Sequence, residues 1–527
     1  MIPVLALSQL PAGHMHQVTV GDYDVLLANV DGTVFAIENK CSHYGFALTK
    51  GSLCEHRVRC PLHHACFDVR TGEQIEAPGM DGVPRFDTEV RDGRIFVGEQ
   101  PSDRNEPLPH VRQGQEFGER PHDRYDYVIV GGGAAASYAI ESIRARDEGG
   151  SLLVLSQESL VPYDRTKVSK GFLQNGMAPP ALQLRDEAFY RRIGVDFRAG
   201  TQVRRVNLEE KKVTLESGQT IGYGKVLLAT GGTPRRLTVP GANLERVFTI
   251  RSAGDAVAAR EAVQDGTRVV IVGGSFIGLE TAMSLGKRGG RITVVTPEKT
   301  LFENVFGERV GAYIKNLHEA EGVTFHLGSK LREINGDGSV SGVTLDDGTQ
   351  LPADVVVVGI GVAPVTDYVE GIAYRDDGSL TTDSHLAIHG AAAFAAGDIA
   401  TYPDREGMLR IEHWKVAAQQ GRVAGRNMAG AAENYTMPPY FWSNQQGVNL
   451  RYVGHATDWS DIVFDGEPGA SPFLAFYIKD GHVQACLGVK RDAEAAAINE
   501  LMALGRMPSV DRLRGRDWLA LCREVGA

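Results

Sequence analysis

YDYVIVGGGAAASYAIESI, residues 125 to 143, runs from an unalternating apolar stretch through glycines into a helical pattern. Val128, Ile129 and Val130 without polar partners suit a strand covered on both faces, as in a parallel sheet. Gly131, Gly133 and Ala136 then make G-x-G-x-x-A between strand and helix. There, backbone amides and a helix N-terminus meet a pyrophosphate with no Cβ in the way. Tight strand-to-helix turns in other α/β proteins use the same letters, so context decides. The next strand, LLVLSQE, ends at Glu158, 25 residues past Gly133, where a ribose-binding carboxylate belongs. A second phrase of the same grammar, TRVVIVGGSFIGLETAMSLG at 267 to 286, puts Gly273 142 residues after Gly131. Ser275 replaces the middle glycine and Gly278 is kept; the serine fits if its side chain turns away or bonds the phosphate. The strand RITVVTPE reaches Thr296 without a carboxylate, but Glu298 follows. Bonded to the ribose hydroxyls, Glu298 favours NADH over NADPH; otherwise it is an exposed loop acid.

A chain of 527 residues exceeds one core, since single hydrophobic cores stop growing at roughly 250–300 residues. Three or more domains are expected. Apolar content of 43% and charged content of 23% exclude wholesale disorder. A formal charge of -11 with no Lys/Arg run argues against nucleic acid and anionic membranes and for small molecules as partners. The N-terminal MIPVLALSQLPAGHMHQV is no secretory signal, and nowhere do about 18 apolar residues stand together, so a cytoplasmic protein without a membrane span is expected. Residues 1–99 carry short alternating segments (VTVGDYDVLLANV, TVFAIEN, RIFVGE) between DG and TG pairs, which read as an all-β module. Residues 100–123 lose periodicity and gain proline and charge, the mark of a linker and, over 101–122, of a flexible tether. Strand-helix alternation follows, and from residue 431 to 527 the pattern is α+β.

Six cysteines are sparse, yet Cys41, Cys54, Cys60 and Cys66 fall within 26 positions. Such clustering fits a metal site in a reducing compartment better than a disulfide framework. CSHYG and CPLHHACFD set out Cys41-x-His43, sixteen intervening residues, then Cys60-x-x-His63. One cysteine and one histidine per loop make the ligand set of a Rieske [2Fe-2S] centre, in which two histidines replace two cysteines on one iron. Structural zinc takes the same four residues, but zinc fingers usually put the cysteine pair first and the histidine pair second. Residues 1–99 resemble a Rieske ferredoxin. Against that family, His64 replaces a glycine and is expected at the surface, and Ala65 replaces a serine that donates to the cluster. Phe46 and Leu62 stand where high-potential members carry a disulfide. The resemblance implies a potential toward the low end of the roughly −150 to +300 mV Rieske range. Cys54 and Cys66 read as small core residues.

PYDRTKVSK (162–170), LLATGG (227–232) and AAGDIA (395–400) together resemble the flavin signatures of FAD-dependent pyridine nucleotide oxidoreductases. Residues 125 to about 490 are similar to the branch holding apoptosis-inducing-factor-like proteins and the ferredoxin reductases of aromatic-ring dioxygenases. That resemblance implies two α/β Rossmann-like domains, one for FAD (124–245 and 365–430) and one for NAD (246–364), before a C-terminal reductase domain (431–527). It implies that Arg165, Lys170, Thr230, Gly231 and Asp398 contact FAD, with Asp398 on the ribityl chain. It also pairs Lys170 with Glu280 at the nicotinamide pocket and sets Trp414 and Trp442 around the flavin. Surface ion pairs, turn aspartates and core tryptophans are the plainer readings. No cysteine lies between 156 and 176 and no C-x-x-C occurs in the chain, so electrons leave the flavin toward something other than a disulfide. The expected path runs from NADH through FAD to the cluster and on to an unidentified acceptor, such as an oxygenase or another redox protein. A terminal oxygenase would need a further His/His/carboxylate group, which the sequence does not offer. A redox-sensing interaction protein with slow NADH turnover is the alternative.

Overall fold

In the computed structural model, which describes residues 1–108, 123–390, 392–405 and 407–525, the unalternating run forms strand Arg124–Val130. It pairs in parallel with Leu152–Leu155 on one side and Thr220–Leu228 on the other. Val195–Arg198 extends the sheet past the former, and Ala393–Ala395 joins the latter, both in parallel. Because all five strands point the same way, the loops 131–133, 156–158, 229–231 and 396–398 open on one rim. The chain departs from the central strand toward one edge and returns on the other side, which creates the switch-point crevice where α/β sheets take ligands. Helix Ala134–Arg144 leaves the first loop and helix Trp414–Met428 packs across it. A Cβ on Gly421 would come within 2.1 Å of the Ala135 carbonyl oxygen, and one on Gly425 within 2.6 Å of that of Ala139. Only glycine permits that approach.

The second phrase builds the same device. Its sheet runs Val247–Thr249, Val355–Val358, Arg268–Val272, Arg291–Thr296, Thr324–Leu327, parallel throughout. The switch point again falls at the strand before the glycines. The described chain divides into two compact units: the residues above belong to one, drawn from 111–435 and 443–448, and the other draws on 1–110, 436–442 and 449–527.

That other unit contains the all-β module. One four-stranded sheet holds Met15–Val20, Tyr23–Val30, Thr33–Glu38 and Arg85–Phe86; another holds Ser52–Cys54, Arg57–Arg59, Cys66–Asp68 and Gln74–Glu76. The C-terminal part supplies helices Asp492–Ala503 and Trp518–Val525 against strands that include Phe473–Lys479 and His482–Val489. Cys54 of the β module lies in one apolar cluster with Leu501, Trp518 and Cys522. Module and C-terminal segment therefore share a core, which the two separate sequence patterns do not announce. Of the linker expected at 100–123, residues 109–122 lie outside the described residues. Its front is bonded to the module: the Arg85 amide donates to Asp103 O at 2.8 Å, and the Asn105 side chain donates to Thr71 O (2.8 Å) and Val83 O (2.7 Å). Among the described residues no helix is long and apolar enough to cross a membrane.

Candidate functional site: three redox stations

The two Cys/His loops are conformational copies. Cys41 N–H donates to Phe46 O (2.9 Å) and Gly45 N–H to Cys41 O (2.8 Å); five and four residues on from Cys60, Ala65 and His64 make the matching pair at 2.8 and 3.0 Å. Each loop consequently turns through a left-handed residue, Gly45 at φ 70° and His64 at φ 58°. A glycine takes that conformation freely and a histidine at a cost of roughly 1–2 kcal/mol. The loops bring like donors together. The Cys41 and Cys60 thiols lie within hydrogen-bonding reach of one another. His43 Nδ1 lies 3.1 Å from His63 Nδ1. Two imidazoles on one tetrahedral metal at about 2.0–2.1 Å have nitrogens about 3.3 Å apart. Thiol beside thiol and imidazole beside imidazole suits a binuclear centre with one iron per pair. A single zinc would draw all four donors to one point. The residues fit a [2Fe-2S] cluster.

Aromatic rings flank the imidazoles: Tyr44 stacks on His43 at 3.8 Å between centroids, and Trp442 lies 4.5 Å from His63. The expected surface position of His64 is overturned. Its side chain is fully buried, stacked on Tyr440 at 3.9 Å, with Nδ1 accepting from Asn499 Nδ2 at 3.0 Å. Sequence could not reveal this because the covering residues come from the C-terminal segment. Cys54 and Cys66 are buried as expected, and burial pushes the Cys66 thiol up to about 12, which keeps it protonated and inert. Cys66, Glu76 and Glu500 do bring donor atoms within 4.8 Å of one another. Arg59 and Arg57 already contact both carboxylates there, so the two negative charges are balanced without a metal cation.

The first α/β rim gathers most of the flavin-type residues. A Cβ at Gly131 would strike the Ala229 carbonyl oxygen at 2.2 Å, whereas one at Gly133 would meet nothing within 4 Å. Gly131 is required by the fold, and Gly133 leaves open space at the helix N-terminus. Glu158 accepts from Tyr163 Oη (2.6 Å) and Arg165 (2.5 Å). Asp398 accepts from Arg251 at 2.8 Å, and Thr230 Oγ1 donates to Val365 O at 2.6 Å beside left-handed Gly231. Trp414 begins its helix with its ring 6.0 Å from Tyr138.

Lys170 and Glu280, 110 residues apart, do meet: Nζ lies 2.7 Å from Oε2. Glu280 is only 2% exposed and also accepts from Ser169 (2.6 Å) and Ser443 (2.7 Å). A buried carboxylate needs several donors of this kind. At the second switch point a Cβ on Gly273 would meet the Gly359 carbonyl at 2.3 Å. Ser275 Oγ donates to Gly359 O (2.8 Å) and accepts from Gly278 N–H (3.2 Å). Its side chain therefore turns inward and caps the helix, which leaves the amide face toward a phosphate clear. Exposed Glu298 accepts from the Thr296 hydroxyl just past the strand end.

Ser169, Arg251, Ser443 and Arg59 escaped the sequence reading. Ser169 and Arg59 sit next to singled-out residues, Lys170 and Cys60, which was the one available signal. Nothing in spacing ties Ser443 to Glu280.

Three family descriptions match the chain: Rieske [2Fe-2S] domain over residues 1–87, pyridine nucleotide-disulphide oxidoreductase over 125–421, and reductase C-terminal over 440–518. Human apoptosis-inducing factor 3 is 32% identical over 515 residues, 95% of this chain and 84% of its own. The ferredoxin–NAD(+) reductase component of the anthranilate 1,2-dioxygenase system of Burkholderia cepacia is 34% identical over 390 residues, 73% of this chain and 96% of its own. The crystal structure of the ferredoxin reductase for the CYP199A2 system of Rhodopseudomonas palustris superposes with a TM-score of 0.72 at 28% identity, covering 76% of this chain and all of that one.

Proposed function

Because the chain belongs to the pyridine nucleotide-disulphide oxidoreductase family and carries a Rieske [2Fe-2S] domain in the same polypeptide, we propose that it is an NADH-dependent reductase of the ferredoxin-reductase type. In this reading electrons pass from NADH through FAD to its own cluster and on to an external oxygenase-type or redox-protein acceptor. FAD takes two electrons together and releases them singly, which neither nicotinamide nor the cluster does alone. The observation that carries the reading is the like-with-like pairing of Cys41 with Cys60 and His43 with His63, in a chain with two nucleotide switch points.

The residues divide the work. Gly131, Gly133 and Ala136 would hold the FAD pyrophosphate, Glu158 its ribose, and Arg165, Thr230, Gly231, Asp398 and Trp414 the remainder, whereas Trp442 lies beside the cluster ligand His63. Gly273, Ser275, Gly278 and Glu298 hold NADH. Lys170 would present its ammonium where nicotinamide meets flavin, and Glu280, 2.7 Å from it, supplies the counter-charge. Purified protein is expected to contain iron and acid-labile sulfide and to give a Rieske-type paramagnetic signal on reduction; stoichiometric zinc without sulfide overturns the cluster assignment. Glu298 would repel a 2′-phosphate, so kcat/KM with NADH should exceed that with NADPH by at least about tenfold, the worth of roughly 1.4 kcal/mol. A preference for NADPH contradicts the ribose role. A redox sensor would instead turn over NADH very slowly with every acceptor tried.

A further inference from the structure

We propose that Ser443, Gln445 and His318 form a positioning relay that aims the Glu280 carboxylate at Lys170, so that the end of strand Tyr440–Gln445 tunes the hydride-transfer site. The inference rests on the reading of Lys170 and Glu280 just given, and adds residues that no sequence motif marks.

The direction of every hydrogen bond in the chain is forced. Gln446 Nε2, which only donates, lies 3.2 Å from His318 Nδ1. That ring nitrogen must accept, so the proton of the neutral imidazole sits on Nε2. His318 Nε2 then donates to Gln445 Oε1 at 2.8 Å, which turns the amide nitrogen of Gln445 toward Ser443 Oγ, also at 2.8 Å. Ser443 has one hydrogen and is already accepting, so it gives that hydrogen to Glu280 Oε1 at 2.7 Å. The other carboxylate oxygen takes Lys170 Nζ and Ser169 Oγ. Each donor fixes the orientation of the next, and the line ends on a charge.

His318, Gln445 and Ser443 are 0–1% exposed, so water does not compete along the line from His318 to Glu280. Burial also holds His318 below the ordinary imidazole range, consistent with the neutral tautomer the bonds require. The arrangement joins helix Glu308–Ala320, which carries His318, and strand Tyr440–Gln445 to helix Phe276–Gly286, which carries Glu280. Without Ser443, Oε1 would be a buried charged acceptor with no donor from this side. The carboxylate would rotate toward its remaining donors, and the ammonium of Lys170 would follow it.

The test uses the full-length, flavin- and iron-loaded protein. Ser443→Ala and Gln445→Met should each slow NADH bleaching of the flavin at saturating NADH by about ten- to hundredfold, the usual range for a hydrogen bond to a charged group. KM should stay within about twofold, because the ground-state contacts to NADH are untouched. The circular dichroism of the oxidised flavin, recorded without NADH, should change in both variants, and Ser443→Thr should restore spectrum and rate. Wild-type rates and spectra in both variants overturn the relay, as does a loss carried entirely by KM. Glu280→Gln separates the underlying reading. If Glu280→Gln reduces at the wild-type rate, the Lys170–Glu280 pair has no part in the reaction; if it is slow while Ser443→Ala and Gln445→Met are normal, only the relay fails.

Discussion

Cys60→Ser is expected to abolish reduction of acceptors that need the iron-sulfur centre, by more than the about ten- to hundredfold typical of losing an outer-shell partner. NADH oxidation by ferricyanide, which takes electrons from flavin, should persist at a near wild-type rate. Serine keeps the volume of the side chain, and the two bonds that close the loop, Cys60 N–H to Ala65 O and His64 N–H to Cys60 O, are backbone bonds. The turn should therefore survive while the ligand is lost, since a serine hydroxyl ionises far less readily than a thiol and does not replace a thiolate on iron. Lys170, Glu280 and both glycine turns belong to the other compact unit and remain as they are. Equal loss of both activities in a folded, flavin-containing variant would sink the serial order of flavin before cluster.

The parallel sheets were legible because local and global preferences agree. Unalternating valines demand cover on both faces, and glycines at 131 and 273 are the only residues whose Cβ-free backbone passes the Ala229 and Gly359 carbonyls. The cluster loops were legible for a similar reason: ligand type and spacing are local. Even the Lys170–Glu280 contact could be anticipated through family resemblance. What stayed hidden is whatever depends on segments distant in the chain that no motif links. His64 looked like a surface departure from glycine until Tyr440 and Asn499 closed over it. Ser275 looked like a weakened phosphate turn, yet its hydroxyl finds the Gly359 carbonyl, a partner 84 residues away.

The same distance hides the second large effect, which Glu500→Ala should expose. Arg59 is fully buried, and all five of its N–H groups are engaged. Nε and NH2 reach Glu500 Oε1 at 2.9 and 2.6 Å, NH1 and NH2 reach Glu76 at 2.7 and 2.8 Å, and NH1 reaches His64 O at 3.0 Å. Arg57 adds a contact to Glu500 Oε2 at 3.2 Å. Arg59 and Glu500 are 441 residues apart, so one guanidinium ties the cluster loop to helix Asp492–Ala503. Without Glu500, buried Arg59 keeps Glu76 as its counter-ion but has two N–H groups with no acceptor, and losing one partner of a buried ionic cluster costs about 3–5 kcal/mol. For a unit near 150–250 residues that corresponds to a melting shift of roughly 6–20 °C. Glu500→Gln keeps an acceptor and the packing, and should lose less. The measurement is thermal melting read by the visible absorbance of the cluster, because the first contact to loosen is the Arg59 bond to the carbonyl beside ligand His63. If Glu500→Ala melts within about 1 kcal/mol of the parent and keeps its full iron content, the value expected of a solvent-screened surface pair, the clamp contributes nothing and the shared apolar core alone holds the module in place.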